Sequence, residues 1–271
     1  MTVRIITGVL LAGVLAVILA LGGWVFAVSY MLTICVAMYE VYLSLEQAGH
    51  RPVQWPSWLC LILSIPLFHN FGSVTLLLPL AGGAAMLTAG FVMFRPQPRL
   101  EDLLVSIMPL GCVLLPGMCM LGIQNAPYRA ARLTLTILAF GIPLSGDTAA
   151  YFMGKMYGRS KLCPAVSPNK TVEGAVAGWL ASVAFAAATW GVFTLFSPAP
   201  PFWHGMVLGA VSGLAGQLGD LFASLVKRHC GVKDFGTIFP GHGGMMDRLD
   251  SVYWATVVVY VYLNLAMAVM R

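Results

Sequence analysis

The sequence predicts an all-α polytopic integral membrane protein of about nine transmembrane helices, with its amino terminus in the cytoplasm and its carboxyl terminus outside. The composition of the 271 residues is the first reason: 59% are hydrophobic and only 9% charged, with a mean hydropathy of +0.85. Soluble domains are about 45–50% apolar and about 25% charged, so these charges are too few to coat a soluble surface. That balance excludes a soluble enzyme, a disordered chain and an ordinary nucleic-acid binder, even though the net charge is +5 and the pI about 9.0. The spacing of the apolar runs and the lopsided placement of the basic residues are the second and third reasons.

Apolar runs fall at 4–21, 22–45, 57–68, 72–94, 103–123, 131–156, 172–197, 203–228 and 251–270, and a span needs roughly 20 such residues. The first run follows Arg4 and resembles a signal peptide, but a second long run comes almost at once, which favours a retained helix. The third is short and interrupted by Pro66, which makes it the weakest of the nine. The rest are long enough to stand alone. Six cysteines, Cys35, Cys60, Cys112, Cys119, Cys163 and Cys230, form no CxxC pair and read as small buried hydrophobes.

Alternating nine spans puts Arg4, Arg51, Arg95, Arg99, Lys155, Arg159, Lys161, Lys170, Lys227, Arg228, Lys233 and Arg248 on one side. Only Arg129, Arg132 and Arg271 fall on the other. The positive-inside rule makes the side with twelve cytoplasmic. The charged loops 157–171 and 229–250 then share the cytoplasmic face. Residues 1–130 read as a lipid-facing scaffold and 131–271 as the half that carries the chemistry.

A charged side chain within a span costs several kcal/mol on insertion scales, about 3 by the gentlest, and so marks a functional candidate. Glu40, Asp147 and Asp220 qualify. Glu40 sits alone in its helix, as part of a site or as a packing hydrogen bond. Asp147, Tyr151 and Lys155 recur along one helical face. Gln217, Asp220, Ser224 and Lys227 form a second stripe, either a polar seam between helices or one wall of a site, with Lys227 and Arg228 as phosphate contacts or interface anchors. Asp220 lies about 12 Å deeper than Arg228 along the helix and needs a polar cavity open to the cytoplasm.

The loop from Gly231 to Ser251 tips the balance toward a site. Its glycines let backbone N–H groups approach a ligand, and it holds Lys233, Arg248, Asp234, Asp247 and Asp250 in a chain otherwise short of charge. Amides, Lys and Arg bind phosphate oxygens, and carboxylates hold Mg²⁺ between the phosphates of a nucleotide. No Walker A pattern is present. A further basic stretch, Ser167-Pro-Asn-Lys170-Thr171-Val-Glu173-Gly174, opens a helix and suits either N-terminal capping or phosphate binding by Lys170.

The run Ser224-Leu-Val-Lys227-Arg228-x4-Lys233-Asp234-x-Gly236-x2-Phe239-Pro240-x-His242-Gly243-Gly244-Met245-x-Asp247-Arg248-Leu249-Asp250 resembles the full signature of the phosphatidate cytidylyltransferases, also called CDP-diacylglycerol synthases. Asp147-Thr-Ala-Ala-Tyr-Phe-Met-Gly154-Lys155 and the 167–174 stretch agree with it, so the resemblance covers about residues 140–255. Asn169 stands where that family usually has Lys, Lys155 where it often has Arg, and Ala223 where Glu commonly precedes the serine.

The resemblance implies transfer of a cytidylyl group from CTP to phosphatidic acid with Mg²⁺, giving CDP-diacylglycerol and pyrophosphate. It makes Asp220 and Asp247 the metal ligands for one or two cations, with Lys227 and Arg248 beside them in the catalytic set. Lys170, Arg228, Lys233, Ser224, His242, Gly243 and Gly244 become phosphate-binding, and Asp147, Glu173, Asp234 and Asp250 second-rank candidates. It further implies a homodimer in a bacterial inner membrane, with the site on the cytoplasmic face. The lipid phosphate is already anionic at neutral pH, so the site must supply placement and charge neutralisation rather than a strong base. The rivals are another CTP- or phosphate-dependent head-group transferase and a transporter, and a transporter needs an outer polar cluster that the sequence lacks.

Overall fold

A computed structural model describes residues 2–71, 76–196 and 200–269, with side chains for 7–67, 76–196 and 200–268. Arg271, Ser197 and the start of the fourth predicted run at 72–75 lie outside the described residues. The chain is an all-α integral membrane protein. Among the described residues, six helices are long and apolar enough to cross a membrane: Gly23–Gln47, Leu100–Ile123, Arg129–Tyr157, Val172–Phe196, Trp203–His229 and Met246–Ala268. Three shorter apolar helices, Thr7–Leu21, Trp55–Leu67 and Leu77–Met93, account for the remaining predicted runs.

The described residues group into two compact units. The first contains the chain up to Gly122 together with His229–Arg248. It begins with α1 (Thr2–Leu21) and α2 (Gly23–Gln47), separated where Gly22 turns to φ 60°, a left-handed conformation that glycine adopts without strain. Helix α3 (Trp55–Phe71) runs on through Pro66, so the proline does not end the helix as the sequence suggested. In an apolar environment, unwinding would expose more unsatisfied backbone than the one missing N–H. Helix α4 (Leu77–Met93) follows, then α5 (Leu100–Pro109), a five-residue π-turn at Leu110–Leu114 and α6 (Leu115–Ile123). The buried Tyr42 hydroxyl, 2.7 Å from Ser57 Oγ and 2.9 Å from the Ser106 carbonyl oxygen, ties α2 to α3 and α5. The segment 229–248 is held here at its start by His50 and His229, whose Nε2 atoms lie 2.8 Å apart.

The second unit contains Ile123–Arg228 and the residues from Leu249 onward. Helices α7 (Arg129–Tyr157) and α8 (Val172–Phe196) meet along small residues spaced four apart: Gly146, Ala150 and Gly154 on one, Gly174, Gly178 and Ser182 on the other. A Cβ added at Gly178 would stand 2.6 Å from the Gly146 carbonyl oxygen, so only glycine permits this approach. Helix α9 (Trp203–His229) brings Gly209 and Gly213 against Ser182 in the same way. Further along, α9 sets Gly216 and Gly219 against Ser251 and Trp254 of α10 (Met246–Val269). Seams of small residues are the usual means of bringing helices together in a bilayer, where no hydrophobic force acts between them.

The 157–171 segment, read as a loop, contains a two-stranded antiparallel hairpin, β1 (Lys161–Cys163) with β2 (Ser167–Thr171). Its short strands carry no alternating apolar pattern, so no strand signal is legible there. At its exit the Thr171 hydroxyl accepts the Gly174 N–H at 3.1 Å, the N-terminal capping anticipated for this stretch.

Candidate active site

Two polar clusters hold the residues singled out by sequence, one in each unit.

In the first unit, the 230–248 segment folds around two buried carboxylates. Glu40, 3% exposed, accepts the N–H groups of Met245 at 3.0 Å and Met246 at 2.9 Å, at the amino-terminal end of α10. That end carries a partial positive charge and two amides with no helical acceptor, which gives Glu40 a partner that its own helix does not supply. Asp247, also buried, accepts the N–H groups of Phe235 at 2.8 Å and Gly244 at 2.9 Å through Oδ2. Between these anchors, Phe239–Gly243 makes a tight turn: the Phe239 N–H donates to the Gly243 oxygen at 2.9 Å and the His242 N–H to the Phe239 oxygen at 2.8 Å.

Gly243 sits at φ 82° with Asp247 and Asp234 on either side. A Cβ there would lie 2.9 Å from Asp247 Oδ2 and 3.2 Å from Asp234 Oδ1. Gly244 and Gly236 are packed against the Glu40 carboxylate. The Nδ1 of His242 is enclosed with no hydrogen-bond partner among the described residues, so the turn presents an unsatisfied polar nitrogen. Lys233 and Arg248 are exposed. Cys230, at the start of the segment, is buried, and burial pushes its thiol pKa up, away from the nucleophilic thiolate.

In the second unit, α9 and α10 bring together carboxylates and lysines. Lys170, from the end of β2, forms an ion pair with Asp220 of α9. Asp250, 7% exposed, accepts the N–H of Ser251 at 2.7 Å and lies within the electrostatic reach of Asp220, Asp147 and Lys227. The Ser251 hydroxyl bonds Asp147 at 3.4 Å. Three carboxylates, from α7, α9 and α10, thus share a site with two lysines. Gln217, the first member of the α9 stripe, donates instead to the Ala175 carbonyl at 2.9 Å, so that end of the stripe is a helix seam.

Ser224 and Lys227 are half-buried, and Arg228 is exposed with Nε donating to the Val166 oxygen at 3.4 Å. Glu173 accepts the N–H groups of Arg159 at 3.1 Å and Ser160 at 3.2 Å, which fixes the entry to the hairpin. Ser251 did not figure among the sequence candidates. Its position one residue past Asp250, in the first turns of α10, was the available signal.

Among the described residues, no three acidic, histidine or cysteine side chains converge closely enough to hold a metal ion by themselves. The donor chemistry still suits Mg²⁺, which takes oxygen ligands and is bound by one or two carboxylates, with waters and substrate phosphates completing its octahedron. The Asp147, Asp220 and Asp250 carboxylates offer such oxygens without a competing soft ligand.

The fold and these clusters define a membrane-embedded helical protein whose polar groups are amides, lysines, arginines and carboxylates, the set that handles phosphate. The sequence profile of the "Cytidylyltransferase family" matches residues 2–266, and the chain belongs to that family. It is 30% identical to the phosphatidate cytidylyltransferase of Synechocystis over all of this chain and 99% of that one. It is 32% identical to the protein of that name from Bacillus subtilis over 97% of each. A third protein of that name, from Staphylococcus aureus, is 45% identical over 45% of this chain and 46% of its own length.

Proposed function

We propose that this chain transfers the cytidylyl group of CTP to phosphatidic acid, forming CDP-diacylglycerol and releasing pyrophosphate, with Mg²⁺ as cofactor. The observation that carries the proposal is the 231–250 segment. Its glycine turn is held open by two buried carboxylates, and its cations are left exposed, in a chain that matches the family over almost its whole length.

A phosphate oxygen of the lipid attacks the α-phosphorus of CTP, and the bond to the pyrophosphate leaving group breaks. The nucleophile is already charged, so the protein acts by alignment and by neutralising the crowded phosphates. Arg248, Lys233, Lys227, Arg228 and Lys170 supply positive charge. Gly243, Gly244 and His242 supply close approach and polar contacts, and Ser224 a hydroxyl. Asp220 and Asp247 carry over from the resemblance as the Mg²⁺ carboxylates, with Asp250 and Asp147 as further oxygen donors beside Asp220. Bound Mg²⁺, alone or with a second cation, would polarise the phosphoryl oxygens.

The topology belongs to the same reading: nine spans, the amino terminus and the 157–171 and 229–250 segments in the cytoplasm, in a bacterial inner membrane, as a homodimer. The deciding experiment supplies radiolabelled CTP to purified protein. Label should pass to a chloroform-soluble lipid, and pyrophosphate should appear, only when CTP, Mg²⁺ and phosphatidic acid are all present. Pyrophosphate release without lipid would indicate a hydrolase. Movement of lipid across vesicles without CTP would indicate a transporter.

A further inference from the structure

The Asp220 carboxylate is held differently from the other acidic candidates. Asp247 accepts two backbone N–H groups and Asp250 the backbone N–H of Ser251, donors that cannot leave without unfolding the chain around them. Asp220 takes its hydrogen bond from a side chain. The Lys170 ammonium contacts Oδ2 and is the one hydrogen-bonding partner of this carboxylate among the described residues. Both side chains stay partly exposed, Lys170 at 29% and Asp220 at 25%, and an ion pair so placed is weak.

The backbone beneath Lys170 is fixed. Its neighbour Thr171 pairs with Lys161 across the hairpin, and the Thr171 hydroxyl is enclosed by three glycines: a Cβ added at Gly154, Gly158 or Gly174 would stand 3.0, 2.8 or 3.0 Å from Oγ1. The Val172 N–H donates to the Ser160 oxygen at 2.9 Å, and the Glu173 carboxylate accepts the Arg159 and Ser160 N–H groups, which closes the base of the hairpin. What remains mobile is the ammonium, at the end of a flexible four-carbon stem. It can leave Asp220 by a change of rotamer alone.

The oxygen that Lys170 contacts is of the kind that a hard divalent cation takes, and it cannot serve both. Asp250 lies within reach of the charges of Asp220 and Asp147 as well as Lys227, and a doubly charged ion gains more from several carboxylates than an ammonium does. Resting on the reading of Asp220 as a Mg²⁺ carboxylate, we propose that Lys170 and the divalent cation exchange at Asp220: the ammonium holds the carboxylate until the cation arrives with CTP, then swings onto the triphosphate. Lys170 thereby sets how tightly the protein takes up metal without nucleotide. Free cation must displace an ammonium that has no anion to receive it, whereas CTP brings phosphate oxygens that do. Metal is therefore taken up with the nucleotide and not ahead of it.

The test is Mn²⁺ binding to the detergent-purified full chain without nucleotide, read from the free-ion signal in electron paramagnetic resonance; Mn²⁺ suits the same oxygen ligands as Mg²⁺. Lys170→Met should bind Mn²⁺ roughly three-fold more tightly than the wild type, the size of one weak ion pair. Lys170→Gln, the second neutral variant, should match it. Lys170→Arg keeps a cation on Asp220 and should bind no tighter than the wild type. Lys161→Met removes the same charge from an exposed position on β1 and should leave binding unchanged. Asp220→Asn should weaken binding and cancel the gain from Lys170→Met in the double variant. Binding by both neutral variants no tighter than by the wild type, or an equal gain in Lys161→Met, would overturn the exchange; with Asp220→Asn still weakened, the metal assignment would stand. Wild-type affinity in Asp220→Asn would instead overturn that assignment and the exchange with it. None of these readouts depends on cytidylyl transfer.

Discussion

The Glu40 carboxylate accepts the N–H of Met246 at 2.9 Å across 206 positions of sequence. A buried acid of a hydrophobic helix is thereby bound to the first turn of the helix that carries Asp247. Glu40 is a positioning residue for the 231–250 segment. Glu40→Gln keeps its shape but replaces one acceptor oxygen with a donor that faces an amide, and removes the charge. Hydrogen bonds to a charged group are worth about 1.5–3 kcal/mol, so a thermal melt should fall by several degrees. The KM for CTP should rise more than kcat falls, because the segment loosens while its phosphate-binding groups survive. A loss confined to kcat would contradict the positioning role.

Asp220 pairs with Lys170, and Asp247 holds two amides. Asp220→Asn and Asp247→Asn should each lower turnover by roughly 100-fold or more, the scale for losing one preorganised electrostatic partner. The two should differ in stability. Asp247→Asn still has one oxygen for the amides but loses the charge that strengthens those bonds, and should melt earlier, whereas the half-exposed pair at Asp220 contributes little to folding. Steady-state rates against Mg²⁺ concentration and thermal melts separate the two effects. Near-normal turnover by Asp247→Asn at ordinary Mg²⁺ would remove it from the metal assignment.

Arg248 is exposed one residue beyond Asp247, and a guanidinium grips phosphate with two parallel hydrogen bonds that an ammonium cannot copy. Arg248→Lys should therefore impair the reaction at unchanged net charge. If the grip forms in the transition state, kcat and kcat/KM fall together; a change in the KM for CTP alone would indicate ground-state binding.

The meeting of Gly146 and Gly178 leaves no room for a side chain. Gly178→Val should prevent α7 and α8 from closing, at a cost of about 1–3 kcal/mol or more. The reduced yield of folded protein in mild detergent would be read by size-exclusion chromatography. Gly82→Val, where a Cβ meets nothing within 4 Å, is the control that should express normally.

A reporter inserted near Lys161 should read as cytoplasmic and one fused after Ser197 as external. Both on one face would overturn the nine-span arrangement.

Much of this was legible in the amino acids. Among the described residues, each apolar run coincides with an apolar helix, because backbone polar groups in lipid have no other way to be satisfied, and the dense 231–250 loop stood out by charge against a charge-poor background. The partner of Glu40 was not legible, since helical periodicity fixes the face of a residue but not what that face meets 205 positions later. The hairpin was hidden because Lys161–Cys163 and Ser167–Thr171 are too short and polar to show a strand pattern. The glycine seam has its own trace in the sequence: Gly205, Gly209 and Gly213 recur every fourth residue, a spacing that marks close helix contact in membranes.

The π-turn at Leu110–Leu114 gives the fifth membrane segment an unusual genetic tolerance. A π-turn winds one surplus residue into a helix, and each residue of an α-helix advances the chain by about 100°. Excising any one of these five codons would let the helix relax into regular α-form. The excision leaves the azimuth of Met118, Met120 and Leu121, all buried, where the native packing has it. The same deletion in an unbroken α-helix such as α8 would swing every later side chain by more than a quarter turn. Length variation in this segment is therefore tolerated at one place, and that place is the bulge.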